Sequence, residues 1–100
     1  MAYKPRMPRG LGTEGKRLWE TVIGEFDLGA EPHKRRILFD ACKTADLIKR
    51  LDDIAAKSPV TLRGSMGQEV IHPCIAQAQS ARMQLAQLLG RLNFAPPEDF

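Results

Sequence analysis

Residues 57–73 read Lys-Ser-Pro-Val-Thr-Leu-Arg-Gly-Ser-Met-Gly-Gln-Glu-Val-Ile-His-Pro, and the fold turns on this stretch. Val60–Arg63 and Glu69–Ile71 have the composition of short strands. The five residues between them, Gly64-Ser65-Met66-Gly67-Gln68, offer two glycines for positive φ, so the segment predicts a β-hairpin. Ser58-Pro59 ends whatever helix precedes it, because the residue before a proline is steered away from helical dihedrals. Pro73 opens the next helix, where its missing N–H is no loss. A two-stranded hairpin is marginal in water by itself. It therefore needs a helix or a neighbouring subunit beneath it.

Upstream, a helix is predicted from Pro32 to about Lys57, roughly 39 Å long at 1.5 Å per residue. Ile37, Ala41, Thr44, Ile48, Leu51 and Ala55 alternate steps of four and three, the spacing of a helix–helix seam. Leu38, Ala45, Leu47 and Ile54 widen that seam. Asp46 with Arg50, and Asp53 with Lys57, form acid-first i, i+4 pairs on the polar side. Downstream, a helix from Pro73 to about Leu92 carries one stripe of Ala78, Ala81, Leu85, Leu88 and Leu92. Its first half is rich in alanine, which permits close approach, and its second half in leucine. These two helices form the expected antiparallel scaffold. A shorter helix over about Glu14–Phe26, with Thr13 as its cap, places Leu18, Trp19, Val22, Ile23 and Phe26 on one face. Asp27–Ala30 makes a tight connection.

The fold expected is thus mainly α: three helices, a long antiparallel pair joined by a short hairpin, in a chain that reads as a subunit of a larger homo-oligomer. The ring-like form of that assembly is what the family resemblance given below implies. Residues 1–12 read as a basic flexible arm, 13–94 as a helical oligomerisation domain, and 95–100 as a flexible acidic tail. The case for assembly is that these wide apolar faces exceed what three helices bury against each other. Trp19, Ile48, Leu51, Leu85, Leu88 and Leu92 are the residues expected at an interface between copies.

One hundred residues with 43% apolar and 27% charged content fit a single globular domain. The net charge of +3 is unevenly placed. Lys4, Arg6, Arg9, Lys16 and Arg17 stand against Glu14 alone in residues 1–17, leaving ten basic residues against eleven acidic ones in the rest. A basic excess of this kind suits a polyanion, although it also serves a solubilising tail. The run His33-Lys34-Arg35-Arg36 puts three cations at a helix N-terminus, where the helix dipole favours acids. Phosphate would satisfy them; a solvated face balanced by Glu31 and Asp40 is the plainer reading.

Other chemistry finds little support. His33, Cys42, His72 and Cys74 match no zinc spacing, so no metal or cofactor is expected. His72 is placed to cap the third helix or the hairpin end instead. Asp52 and Asp53 are adjacent on a helix and diverge. The segment Gly64–Gly67 lacks the lysine of a phosphate loop, and Ser65 lacks a His–acid partner, so catalysis is not expected. Helix two is too long for the recognition helix of a helix-turn-helix. No apolar run of 18 residues predicts a membrane span, and no signal peptide is legible. Two cysteines within helical patterns fit a reducing cytoplasm.

The order LWETVIGEFDL, then EPHKRRILFDACKTADLIKRLDDI, then VTLRGSMGQEVIHPCIAQAQSARMQLAQLLGRL resembles the small terminase subunits of tailed bacteriophages, in particular the short type of phages and prophages. The resemblance covers about Leu18 to Leu92, including the hairpin segment G-x-x-G-x-x-x-x-H-P. It implies a non-enzymatic packaging factor in the host bacterial cytoplasm that forms rings, binds double-stranded phage DNA and presents it to the large terminase subunit, which carries the ATPase and nuclease. By the same resemblance the helices are the oligomerisation core and the C-terminal tail meets the large subunit. DNA contact then falls to Lys4, Arg6, Arg9, Lys16, Arg17, Lys34, Arg35 and Arg36. A helical virion connector without DNA affinity, and a small dimeric DNA-binding regulator, are the competing readings.

Overall fold

The computed structural model describes residues 5–28, 31–57, 61–64 and 66–92, with the backbone alone for residues 61 and 62. Lys4, the Gly29-Ala30 connection, the Ser58-Pro59 stop, Val60, Ser65 and the tail from 95 to 100 lie outside the described residues.

The chain is mainly helical: α1 spans Thr13–Glu25, α2 Pro32–Ala56 and α3 Pro73–Arg91. Between α2 and α3 lie β1, Thr61–Arg63, and β2, Glu69–Ile71, which pair antiparallel with Leu62 opposite Val70. Gly67 takes the positive φ of 86° that their connection requires, a region costly for any residue with a Cβ. Val70 and Ile71 remain exposed.

α2 is the central element, with α1 and α3 both packed on it. Its 25 residues give a rod about 37 Å long. Ala41, Ile48 and Leu51 of the predicted seam are buried, and Ile37, Thr44 and Ala55 are half-buried. On α3 the facing stripe begins with Ala78 and Ala81, at 2% and 4% exposure, so the two backbones approach where the side chains are small. Leu38 near the start of α2 shares a cluster with Leu92 beyond the end of α3, while Asp52 near the end of α2 pairs with Arg82 of α3. The two helices therefore run in opposite directions.

α1 closes the other end. Trp19 and Val22 join Leu11, Leu28, Leu38, Cys42 and Leu92 in one core, flanked by Met7, Leu18, Ile23, Ile37, Phe39 and Leu89. Burying residues of this size is worth about 1.5–3 kcal/mol each relative to exposure. Because Met7 and Leu11 belong to this cluster, the chain from Met7 onward is laid against the helices.

α1 begins differently from the expectation. Thr13 is its first helical residue and caps nothing; Gly12 is the N-cap and has no side chain to offer. The cap comes from α2. The Asp46 carboxylate accepts from the Gly12 N–H at 2.6 Å and from the Gly15 N–H at 2.8 Å. These are the two donors that a local capping box would satisfy. One turn earlier on α2, Lys43 donates to the Gly10 carbonyl at 3.1 Å. Lys43 and Asp46 together clasp the segment that enters α1.

That clasp uses Asp46, so the expected Asp46–Arg50 pair does not form. The expected Asp53–Lys57 pair is also replaced: Lys49 reaches Asp53 at 2.8 Å from one turn before it. The Asp53 hydrogen bond and charge raise the Lys49 pKa. α3 starts as the sequence predicted, with His72 Nδ1 accepting from the Cys74 N–H at 3.0 Å.

Candidate nucleic-acid interface

Of the eight cations assigned to DNA, the seven within the described residues fall into two groups by segment. The first belongs to the segment entering α1 and its first turns. Arg6, Arg9 and Lys16 are exposed, and none has a carboxylate partner among the described residues. Arg17 is 70% exposed and pairs loosely with Glu14 at 3.3 Å. Met7 and Leu11 anchor this segment from beneath, so its charges sit on a backbone held by the core and by the Lys43–Asp46 clasp. Lys4 lies outside the described residues.

The second group, Lys34, Arg35 and Arg36, does not form one patch. Successive helical residues point about 100° apart, so three in a row cannot share a face. Lys34 is only 20% exposed and pairs with Glu31 at 3.2 Å. Arg35 is half-buried and donates from its guanidinium to the Leu28 carbonyl at 2.9 Å, which fixes the connection between α1 and α2. Arg36 alone turns outward, at 74% exposure; it pairs with Asp40 at 3.4 Å and lies over the Phe39 ring. Glu31 thus supplies the acid that the helix N-terminus favours, and Lys34 and Arg36 each face a carboxylate within the chain while Arg35 is held by a backbone carbonyl.

The N-terminus of α1 is likewise occupied. Its free N–H groups hold the Asp46 carboxylate, so an incoming phosphate would face a negative charge there. A polyanion is better served by the exposed side chains of Arg6, Arg9, Lys16 and Arg17.

The residues expected between copies are largely covered within one chain. Trp19 is 4% exposed and Leu92 1%, both in the central core, and Ile48 and Leu51 lie beneath α3. Leu85 and Leu88 keep part of their surface. The larger exposed apolar side chains are elsewhere: Leu47 and Ile54 on α2, Met83 on α3, Val70 and Ile71 on β2, and Met66. Sequence spacing gave no means of ranking these, because α2 is apolar on two sides and only packing decides which side α3 covers.

Among the described residues no group of three His, Cys, Asp or Glu side chains is arranged to hold a metal ion. Cys42 is fully buried, and burial pushes its thiol up to about 12, with the Asp46 charge adding in the same direction. Such a thiol is a poor nucleophile and a poor metal ligand at neutral pH. No helix of the described residues is long and apolar enough to cross a membrane. No protein-family model, curated protein or solved structure matches the chain.

Proposed function

We propose that this protein is a non-catalytic DNA-packaging factor of the small terminase type, which binds double-stranded phage DNA and presents it to a large ATPase and nuclease subunit in the host cytoplasm. The observation that carries the DNA-binding part is the set of unpaired, exposed cations Arg6, Arg9 and Lys16 on a segment anchored to the core. Phosphate neutralisation gains from charges that have no internal partner to abandon. The terminase assignment itself is supported by the resemblance of the sequence over Leu18 to Leu92.

A ring-like homo-oligomer completes the reading. Few cations per chain give weak binding, and repetition around an assembly multiplies them through effective concentration. The half-exposed Leu85 and Leu88 and the exposed Met83 on α3, with Val70 and Ile71, offer the apolar surface for that assembly.

The test is binding to duplex DNA across a salt series by fluorescence anisotropy. Affinity falls with rising salt, and replacing Arg6, Arg9 and Lys16 by Ala flattens the log–log slope by up to about three, one for each lost phosphate contact. Salt-independent binding, or an unchanged slope in the triple variant, refutes the interface. Replacing Lys34 and Arg35 has a smaller effect on the slope, because both already serve the chain itself.

A further inference from the structure

α2 carries a second seam whose apolar side chains are exposed. Lys43, Leu47, Arg50, Ile54 and Lys57 follow steps of four, three, four and three, the same alternation as the buried seam beside it. Leu47 and Ile54 are 41% and 43% exposed. The face is not flat: residues 10–13 rise along one side, and the resulting groove has a volume of about 890 Å³. From Lys43 to Lys57 it runs about 21 Å, four turns of helix.

The charge in this groove is positive because Lys43, Lys49, Arg50 and Lys57 line it against only Asp46 and Asp53. Asp46 is bound to the α1 amides and Asp53 to Lys49. Arg50 and Lys57 consequently have no carboxylate partner among the described residues. Lys43 donates only to a neutral carbonyl and keeps its full charge in the groove.

We propose that this groove docks an acidic amphipathic helix of a different protein, whose apolar side chains meet Leu47 and Ile54 and whose carboxylates meet Lys43, Arg50 and Lys57. Cations and apolar residues alternate at helical spacing, which matches a helix bearing carboxylates beside an apolar stripe. A phosphate backbone would leave Leu47 and Ile54 in water. The described helices of a second copy do not fit. Antiparallel pairing of two α2 grooves sets Arg50 against Arg50 and Lys43 against Lys57, like charges that repel. α3 contains no Asp or Glu, and the exposed acids of α1, Glu20 and Glu25, flank no exposed apolar stripe within that helix.

The probe is a fluorescein-labelled synthetic peptide of about 18 residues, a helix with Leu at seam positions and Glu beside them. It is compared with a scrambled peptide of the same composition, each titrated with the full chain and followed by anisotropy. The patterned peptide binds at least about tenfold more tightly than the scrambled one. Arg50→Glu and Ile54→Glu each lower that affinity about tenfold, while Arg91→Glu, at the far end of α3, leaves it unchanged. A peptide with Lys in place of Glu regains affinity for the Arg50→Glu, Lys57→Glu double variant. All substituted side chains are exposed, and circular dichroism verifies that the helices persist. Equal binding of patterned and scrambled peptides, or binding of neither, overturns the proposal. So does duplex DNA binding that Arg50→Glu abolishes while the peptide does not bind, since the groove then reads phosphate.

Discussion

At the scale of single residues, Asp46 governs more than its position suggests. One carboxylate replaces both halves of a capping box across 34 and 31 residues of sequence, because Gly12 and Gly15 have no side chains to do it locally. Those glycines also make room. A Cβ on Gly15 would lie 2.8 Å from the Cys42 carbonyl and collide with Asp46 itself. Asp46→Ala is therefore expected to cost about 2 kcal/mol, read from the urea midpoint, with Asp46→Asn between it and the parent. An unchanged midpoint for Asp46→Ala excludes the tertiary cap as a source of stability. Cys42 gives a second test. Its buried thiol stays protonated until about pH 12, whereas the unfolded chain releases that proton near the ordinary 9.0. The unfolded state therefore binds fewer protons above pH 9, and stability is lost as pH rises from 9 towards 12. The alkaline loss is expected to be smaller in Cys42→Ala, by about 1 kcal/mol at pH 10. At pH 8 a thiol reagent should modify the half-exposed Cys74 promptly and Cys42 only in denaturant.

At the scale of elements, α2 is apolar on two sides, and the two behave differently. Leu51 is 8% exposed under α3, while Leu47, one turn away, is 41% exposed at the rim of the open groove. Leu51→Ala is expected to destabilise the fold by about 2–4 kcal/mol and Leu47→Ala by less than about 1 kcal/mol. Equal costs would mean that the outer seam is covered in the free protein. The small-residue half of α3 follows the same logic. Ala81 lies beside Leu51 of α2, a small side chain on one helix next to a large one on the other. The ends of the helices show how local signals fare. His72 before Pro73 was legible as a cap, because the side chain and the amide it binds lie two residues apart. The cap of α1 was not, since its acid lies on another helix.

At the scale of the whole molecule, the chain is long and thin. Its extents are 61 × 35 × 18 Å and its radius of gyration 17.4 Å, against about 13 Å for a compact chain of this length. An arrangement about two helices thick leaves apolar residues outside, among them Met83, Val70 and Ile71. The expected consequence is association. Light scattering coupled to size-exclusion chromatography of nucleic-acid-free protein should give one species of several subunits, and Leu85→Asp with Leu88→Asp should dissociate it. A monomer for the parent protein removes the ring from the proposed function and leaves DNA binding to be judged by its own salt series.

The sequence by itself determined the helices but not the whole core, since Leu11 of the expected arm joins Trp19 and Leu92 in one cluster within the chain. Periodicity along α2 and α3, proline at both their starts and the glycines near Met66 are local signals, and local signals survive without knowledge of what packs where. It also located the basic excess in residues 1–17. What only the tertiary structure decided was which charges remain available. Lys34, Arg35 and Arg36 looked like one cluster, yet Glu31, the Leu28 carbonyl and Asp40 each claim one of them. Arg50 and Lys57 looked paired, yet Asp46 and Asp53 are held elsewhere. Ion pairs between exposed side chains are worth at most about 1 kcal/mol, too little to fix their own partners. The choice passes to the buried contacts that set how α1 and α3 lie on α2, and those depend on residues far apart in the chain.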